Sequence, residues 1–200
     1  MTTFLKTTLI AGLIAAGFAV SMPAQAEDGP FMVRARLLSM QTADKTANNS
    51  SIKVEDKVFP DVDISYFVTP NISLELVLTY PQTHNIEASG NKIGSLKHLP
   101  PTLLAQYRFD TGTPFQPYVG AGLNYTRIWG VSLPSGLSLD HSSIGLAGQV
   151  GADYKLDGAW SLNADVKYMK LEADLKSAGK KIDTVKVNPW LFGVGVGYRF

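Results

Sequence analysis

The sequence contains no cysteine, which removes disulfide frameworks and thiolate chemistry from consideration. Its three histidines, His84, His98 and His141, show no metal-ligand spacing. Charge of one sign is missing as well: the formal net charge is +1, and no basic stripe marks a nucleic-acid partner. No phosphate-binding loop appears, and nothing in these patterns calls for a cofactor. After residue 26 no apolar run approaches the ~20 residues that a spanning helix needs.

The first 26 residues differ from the rest. "MTTFLKTTLIAGLIAAGFAVSMPAQAED" places Lys6 ahead of an apolar run from Leu9 to Val20 and then the small-residue pattern Ala24-Gln25-Ala26. This is the layout of a cleaved export signal. Residues 1–26 are expected to be removed, leaving 27–200 as one domain of the cell envelope.

That domain reads as strands. About eight segments of roughly ten residues, the length of a tilted membrane-crossing strand, run approximately Phe31 to Met40, Asp61 to Val68, Ile72 to Tyr80, Leu99 to Phe109, Phe115 to Trp129, Ser142 to Leu156, Ala159 to Glu172 and Val185 to Phe200. Connectors alternate between short turn-formers, "TPN", "DTGTP" and "DG", and longer polar or glycine-containing stretches. The expected fold is all-β: an eight-stranded antiparallel up-and-down transmembrane barrel with short turns on the periplasmic side and long loops outside.

The final segment, "NPWLFGVGVGYRF", carries the pattern most plainly. Trp190, Phe192, Val194, Val196, Tyr198 and Phe200 share one parity, and Gly193, Gly195 and Gly197 the other. Tyr66, Tyr80, Tyr107, Tyr125, Trp160, Tyr168 and Tyr198 fall near segment ends, where amphipathic rings form girdles at the headgroups. Alternation alone does not say which face is outside, since a soluble lipocalin-like barrel has the same period. The aromatic last strand, the lack of a helix pattern and the alternating connectors favour the membrane.

The opposite parity collects Arg34, Arg36, Arg108, Lys167 and Arg199 with Asp61, Asp63, Glu75, Asp153 and Asp165. Eight strands enclose room for side chains or one small ligand, so paired charges are expected to plug and brace the lumen. Val77, Leu104 and Met169 fall on the same parity. The long loops hold Ile86, Ile93, Leu96, Val131, Leu133, Leu137 and Leu139, which either pack on one another or line an apolar funnel. In "KHLPPTLLAQYRF", Pro100 and Pro101 both lack an N–H for the ladder; they either open the wall sideways or simply start or bend the strand.

With "HLPPTLLAQYRF" at 98–109, "PYVGAGLNYT" at 117–126, "GLAGQVGADY" at 145–154, "YM" at 168–169 and "NPWLFGVGVGYRF" at 188–200, the chain resembles the OmpW family of small outer-membrane barrels over Phe31 to Phe200. The resemblance implies an outer-membrane barrel of a Gram-negative cell that admits small hydrophobic compounds and releases them sideways into the bilayer. On that implication His98, Pro100 and Pro101 mark the lateral exit, and Val77, Leu104, Lys167 and Met169 line the lumen or its constriction. Trp190, Phe192, Tyr198 and Phe200 are assigned to membrane insertion. Expected partners are outer-membrane lipid and lipopolysaccharide, small hydrophobic solutes and the barrel-assembly machinery. Family members can carry a bulky aromatic just before the Tyr-Met pair; Lys167 stands there in this chain, which argues against a tight hydrophobic gate.

Two rival functions remain at this level. A structural or receptor barrel would use the loops as adhesion sites. A lipid A deacylase-like enzyme would need His141, Ser143 and Asp153 to cooperate, although spacing along one segment sets them far apart.

Overall fold

The computed structural model describes residues 29–41, 45–46, 52–54, 56–88, 91–132, 136–177 and 179–200. The export signal expected at 1–26 lies outside them. In chain order the strands are β1 (Phe31–Gln41), β2 (Lys45–Thr46), β3 (Ile52–Val54), β4 (Lys57–Phe67), β5 (Ile72–Thr79), β6 (Gln82–Ala88), β7 (Asn91–Leu99), β8 (Thr102–Arg108), β9 (Phe115–Ser132), β10 (Leu137–Leu139), β11 (Ser142–Lys155), β12 (Trp160–Met169), β13 (Glu172–Ser177), β14 (Lys180–Lys186) and β15 (Trp190–Arg199). Among the described residues there is no helix.

Strands β1, β4, β5, β8, β9, β11, β12 and β15 pair in that order, and the β15 to β1 pairing closes the ring. The closure is tight at its lower end, where the Phe31 and Phe200 backbones exchange N–H to O=C bonds of 3.0 and 2.7 Å. Closure removes the free edges that an open sheet would present. The short turns behave as their residues dictate: Gly112 and Gly158 have φ of 66° and 70°, and the Asp110 carboxylate accepts from the Gly112 N–H at 2.9 Å.

Burial settles the direction of the alternation. On β4 the pattern is strict, with Phe59, Asp61, Asp63, Ser65 and Phe67 buried and Val58, Pro60, Val62, Ile64 and Tyr66 exposed. Apolar residues are outside and charges inside, the inverse of a lipocalin, so the outer face is one that only hydrocarbon would cover. Aromatic pairs mark both rims: Phe31 with Tyr66 and Trp160 with Tyr198 below, Tyr168 with Trp190 above.

Several segment boundaries differ from the sequence expectation, among them the start of the last segment: its strand begins at Trp190, and Val185 belongs to β14. Strand β4 starts at Lys57 rather than Asp61. Pro60 is tolerated because β5 pairs with β4 only from Asp61 downward, leaving β4 an edge at that height. The expected segment from Leu99 to Phe109 is broken at Pro100 and Pro101 into β7 above and β8 below, both laid against β9. Finally, the long connectors hold strands: β3, β6 and β7 extend the wall upward, and β2, β10, β13 and β14 form a separate small sheet.

Candidate functional site

The lumen has two layers. In the lower one Arg34 and Arg36, both on β1, reach carboxylates on four other strands. Arg34 donates to Asp63 (2.9 Å), Ser65 (2.8 Å) and Glu75 (2.7 Å), with Asp153 at 3.4 Å. Arg36 pairs with Asp61 (2.7 Å), Asp63 (2.9 Å) and Asp165 (3.1 Å). Arg108 pairs with Asp153, Gln106 donates to Gln149 at 2.9 Å, and Asn163 holds Asp153 and the Tyr118 hydroxyl. The Arg34 and Arg108 guanidinium groups also lie over the Tyr118 ring. Removed from water, such charges are tolerated only when each is paired and hydrogen-bonded.

The glycine column of β15 makes room for this network. Gly193, Gly195 and Gly197 stand opposite Leu38, Arg36 and Arg34 of β1. A Cβ at Gly193 would overlap Asp165 and Leu38, and one at Gly197 would press on Ser161 and Arg34. Arg199, expected among the lumen cations, departs from it: it is half-buried at the lower mouth, its guanidinium 3.7 Å from the Phe67 ring centroid and its Nε bonded to the Gly29 carbonyl.

The upper layer is apolar and holds a cavity of about 140 Å³. Its floor and walls come from Leu38, Met40, Phe59, Val77, Met169 and Leu191, and its roof from Leu137, Leu139, Leu171, Ala173 and Leu175. Apart from Leu171, the roof is the small sheet, packed onto Leu96 of β7 and Ile128 of β9. Lys167 lines the cavity at the boundary between layers, with its ammonium on Asp165. Above it the Thr102 hydroxyl on β8 reaches the Met169 sulfur on β12 at 3.5 Å, spanning the lumen.

On one side the wall is incomplete. The β5 to β8 ladder ends at Val77 opposite Thr102, and pairing resumes only where Gln82 meets His98. Between these points the Leu78 to Pro81 segment faces Leu99 to Pro101 with no ladder. Prolines there have no N–H to offer, and their carbonyls turn the other way: Pro101 accepts from the Tyr125 N–H at 3.0 Å, and the Asn124 amide donates to both Pro100 and Pro101. Thr79, His98 and Pro100 border this break and also line the cavity.

A family model described as OmpW family matches residues 27–200. The chain belongs to the OmpW family. It is similar to Outer membrane protein W of Vibrio cholerae, 40% identical over 196 residues that cover 87% of this chain and 90% of the relative. Among solved structures it resembles the outer membrane protein OprG of Pseudomonas aeruginosa, with TM-score 0.73, 29% identity and coverage of 86% of this chain and 96% of that one. It also resembles the E. coli Outer Membrane Protein W, with TM-score 0.68, 33% identity and coverage of 86% and 98%. It is an outer-membrane barrel, like these relatives.

The residues expected to matter to an OmpW-family barrel fall as follows. Of the lateral set, His98 and Pro100 face the cavity, and Pro101 sits beneath them with its carbonyl held by Asn124 and Tyr125. Of the lumen set, Val77, Lys167 and Met169 line the cavity; Leu104 is fully buried and does not line it, since it lies one inward step below Thr102, which does. Trp190 and Phe192 point outward from β15, and Tyr198 and Phe200 stack at the lower rim. Leu96, Leu137 and Leu139 line the funnel, while Val131 packs on its flank. Leu133 and the side chains of Ile86, Ile93 and His84 lie outside the described residues. The enzyme constellation does not assemble. His141 is exposed, Ser143 is buried with its hydroxyl accepting from the Glu172 N–H, and Asp153 lies ten residues along β11 inside the ion network, about 30 Å away at strand rise.

Proposed function

We propose that the protein carries small hydrophobic compounds from the outer surface into the outer membrane, releasing them sideways between β5 and the β7 to β8 junction. The observation that supports this reading is the placement of the apolar cavity: it is floored by buried ion pairs and bordered on one side by the unladdered wall at Thr79, His98 and Pro100. A solute that enters from above meets a charged plug below and hydrocarbon at the side. Leaving sideways keeps its apolar surface out of water throughout.

Uptake of labelled toluene into cells lacking the protein tests it, with complementation by wild type or by the double variant Pro100→Val, Pro101→Val. The valines restore two N–H donors to the gap. Uptake restored by wild type and lost in the double variant, at equal barrel levels in the membrane, is the expected result. Equal uptake with and without wild type would overturn the proposal in favour of a structural or receptor barrel.

A further inference from the structure

Among the described residues, Lys167 is the single charged residue lining the apolar cavity. An ammonium has three N–H donors, and the one hydrogen-bond partner of Lys167 among the described residues is Asp165. That carboxylate also accepts from Arg36 and Gln149. A second polar group of the lining, the Thr79 hydroxyl, has no partner among the described residues. A pure hydrocarbon seated here would cover these donors without meeting them, which is unfavourable.

Charge decides between the kinds of polar solute that would meet them. The buried ionic groups of the lumen are four cations, Arg34, Arg36, Arg108 and Lys167, against five carboxylates, Asp61, Asp63, Glu75, Asp153 and Asp165. With every group ionised the lumen carries a surplus of one negative charge. A carboxylate solute would double that surplus, whereas a neutral oxygen acceptor adds nothing to it.

We propose that the cavity selects small neutral compounds bearing a hydrogen-bond-accepting oxygen, such as a ketone, ester or alcohol on an apolar body, with Lys167 as the donor to that oxygen. The proposal rests on reading the cavity as a passage for small hydrophobic compounds, and narrows their class. The volume of about 140 Å³ is close to the ~150 Å³ of cavities that hold benzene, so the body is of single-ring size.

Toluene, acetophenone and benzoate share one ring and differ in the head, so they separate the possibilities. Equilibrium binding to the protein in lipid nanodiscs, measured against empty nanodiscs of the same lipid, should rank acetophenone roughly tenfold tighter than toluene, the worth of one good hydrogen bond, with benzoate weakest. Lys167→Met should remove the preference for acetophenone without weakening toluene. Toluene binding as tightly as acetophenone, benzoate binding tightest, or the same order in the variant would each overturn the proposal. The order among solutes is read on unaltered protein, so a poorly folding variant does not remove the test. Uptake into proteoliposomes separates the two ideas: preference without protein-dependent uptake sinks the passage and keeps the subsite. Protein-dependent uptake of all three solutes without preference sinks the subsite and keeps the passage.

Discussion

On β12 the inward residues rise from Ser161, Asn163 and Asp165 through Lys167 to Met169, and on β1 from Arg34 and Arg36 to Leu38 and Met40. The lower half is polar, with its charges buried and paired and a polar pocket of about 150 Å³ at its foot beside Asp153, Ser161 and Arg199; the upper half, on the same strands, is apolar and encloses its own space. Filling a barrel with ion pairs demands geometry, since each charge needs its partners. Enclosing an apolar space demands only that side chains stop short of one another. The lower half therefore tolerates little change, and the upper half is free to be reshaped for a solute.

Three substitutions or conditions would break or sharpen that contrast. The largest expected effect is Arg34→Met, which takes one buried cation from Asp63, Glu75 and Asp153 at once and leaves the lumen with two surplus negative charges. Unfolding in lipid vesicles by guanidinium, followed by tryptophan fluorescence, should show a loss of ~3–5 kcal/mol. Toluene uptake per folded barrel should remain. A stability change under about 1 kcal/mol would mean that the network does not brace the wall.

Met169→Ala comes next and should act the opposite way. It removes the contact with Thr102 across the upper lumen and costs about 2 kcal/mol, the low end for such truncations because the side chain already borders a cavity. Uptake of toluene should rise. A fall in uptake would show that Met169 guides the solute rather than restricting it.

The smallest effect concerns the roof. Asp174 on β13, half-buried above the membrane, is held below the usual carboxylate range by hydrogen bonds from Lys181 (2.7 Å) and Thr184 (3.0 Å). A lowered carboxylate value contributes stability above about pH 4 that is lost as pH falls through the lowered value. Lys176 is raised by its bond to Asp140, a contribution lost only at strongly alkaline pH. Amide exchange at pH 3, compared with pH 6 and normalised to β4, should rise in β13 and β14. Unchanged protection would mean that the apolar contacts of Leu139 and Ala173 alone hold the roof.

Much of this architecture was legible in the residues. A period of two tells inside from outside, and it assigned Arg34, Arg36, Asp63, Glu75, Asp153 and Asp165 to the lumen without any coordinates. It does not give height. Which residues of neighbouring strands stand level with Leu38 rather than with Arg36 depends on the stagger between strands, which no single segment encodes, so the grouping of Leu38 with Met40, Phe59 and Leu191 was not legible. The strands β13 and β14 were hidden for another reason. "LEADLKSAGKKIDTVK" is too charged to read as a barrel wall, yet Leu171, Ala173 and Leu175 alternate at its start and form part of the roof. The double proline was visible as an anomaly; that it interrupts the β5 ladder and not the β9 side required the register.

The glycine column of β15 also bears on how the molecule is made. The inward side chains of β1 lie over bare backbone contributed by the last strand of the chain, more than 150 residues away. Until that seam closes, Arg34 and Arg36 have no back wall, and their partners on β11 and β12 are held at no fixed distance. Shutting the seam and pairing the charges are thus one event. The barrel should assemble all at once, with no stable half-closed form in the bilayer, and its speed should be set by how long the two ends of the chain take to find each other.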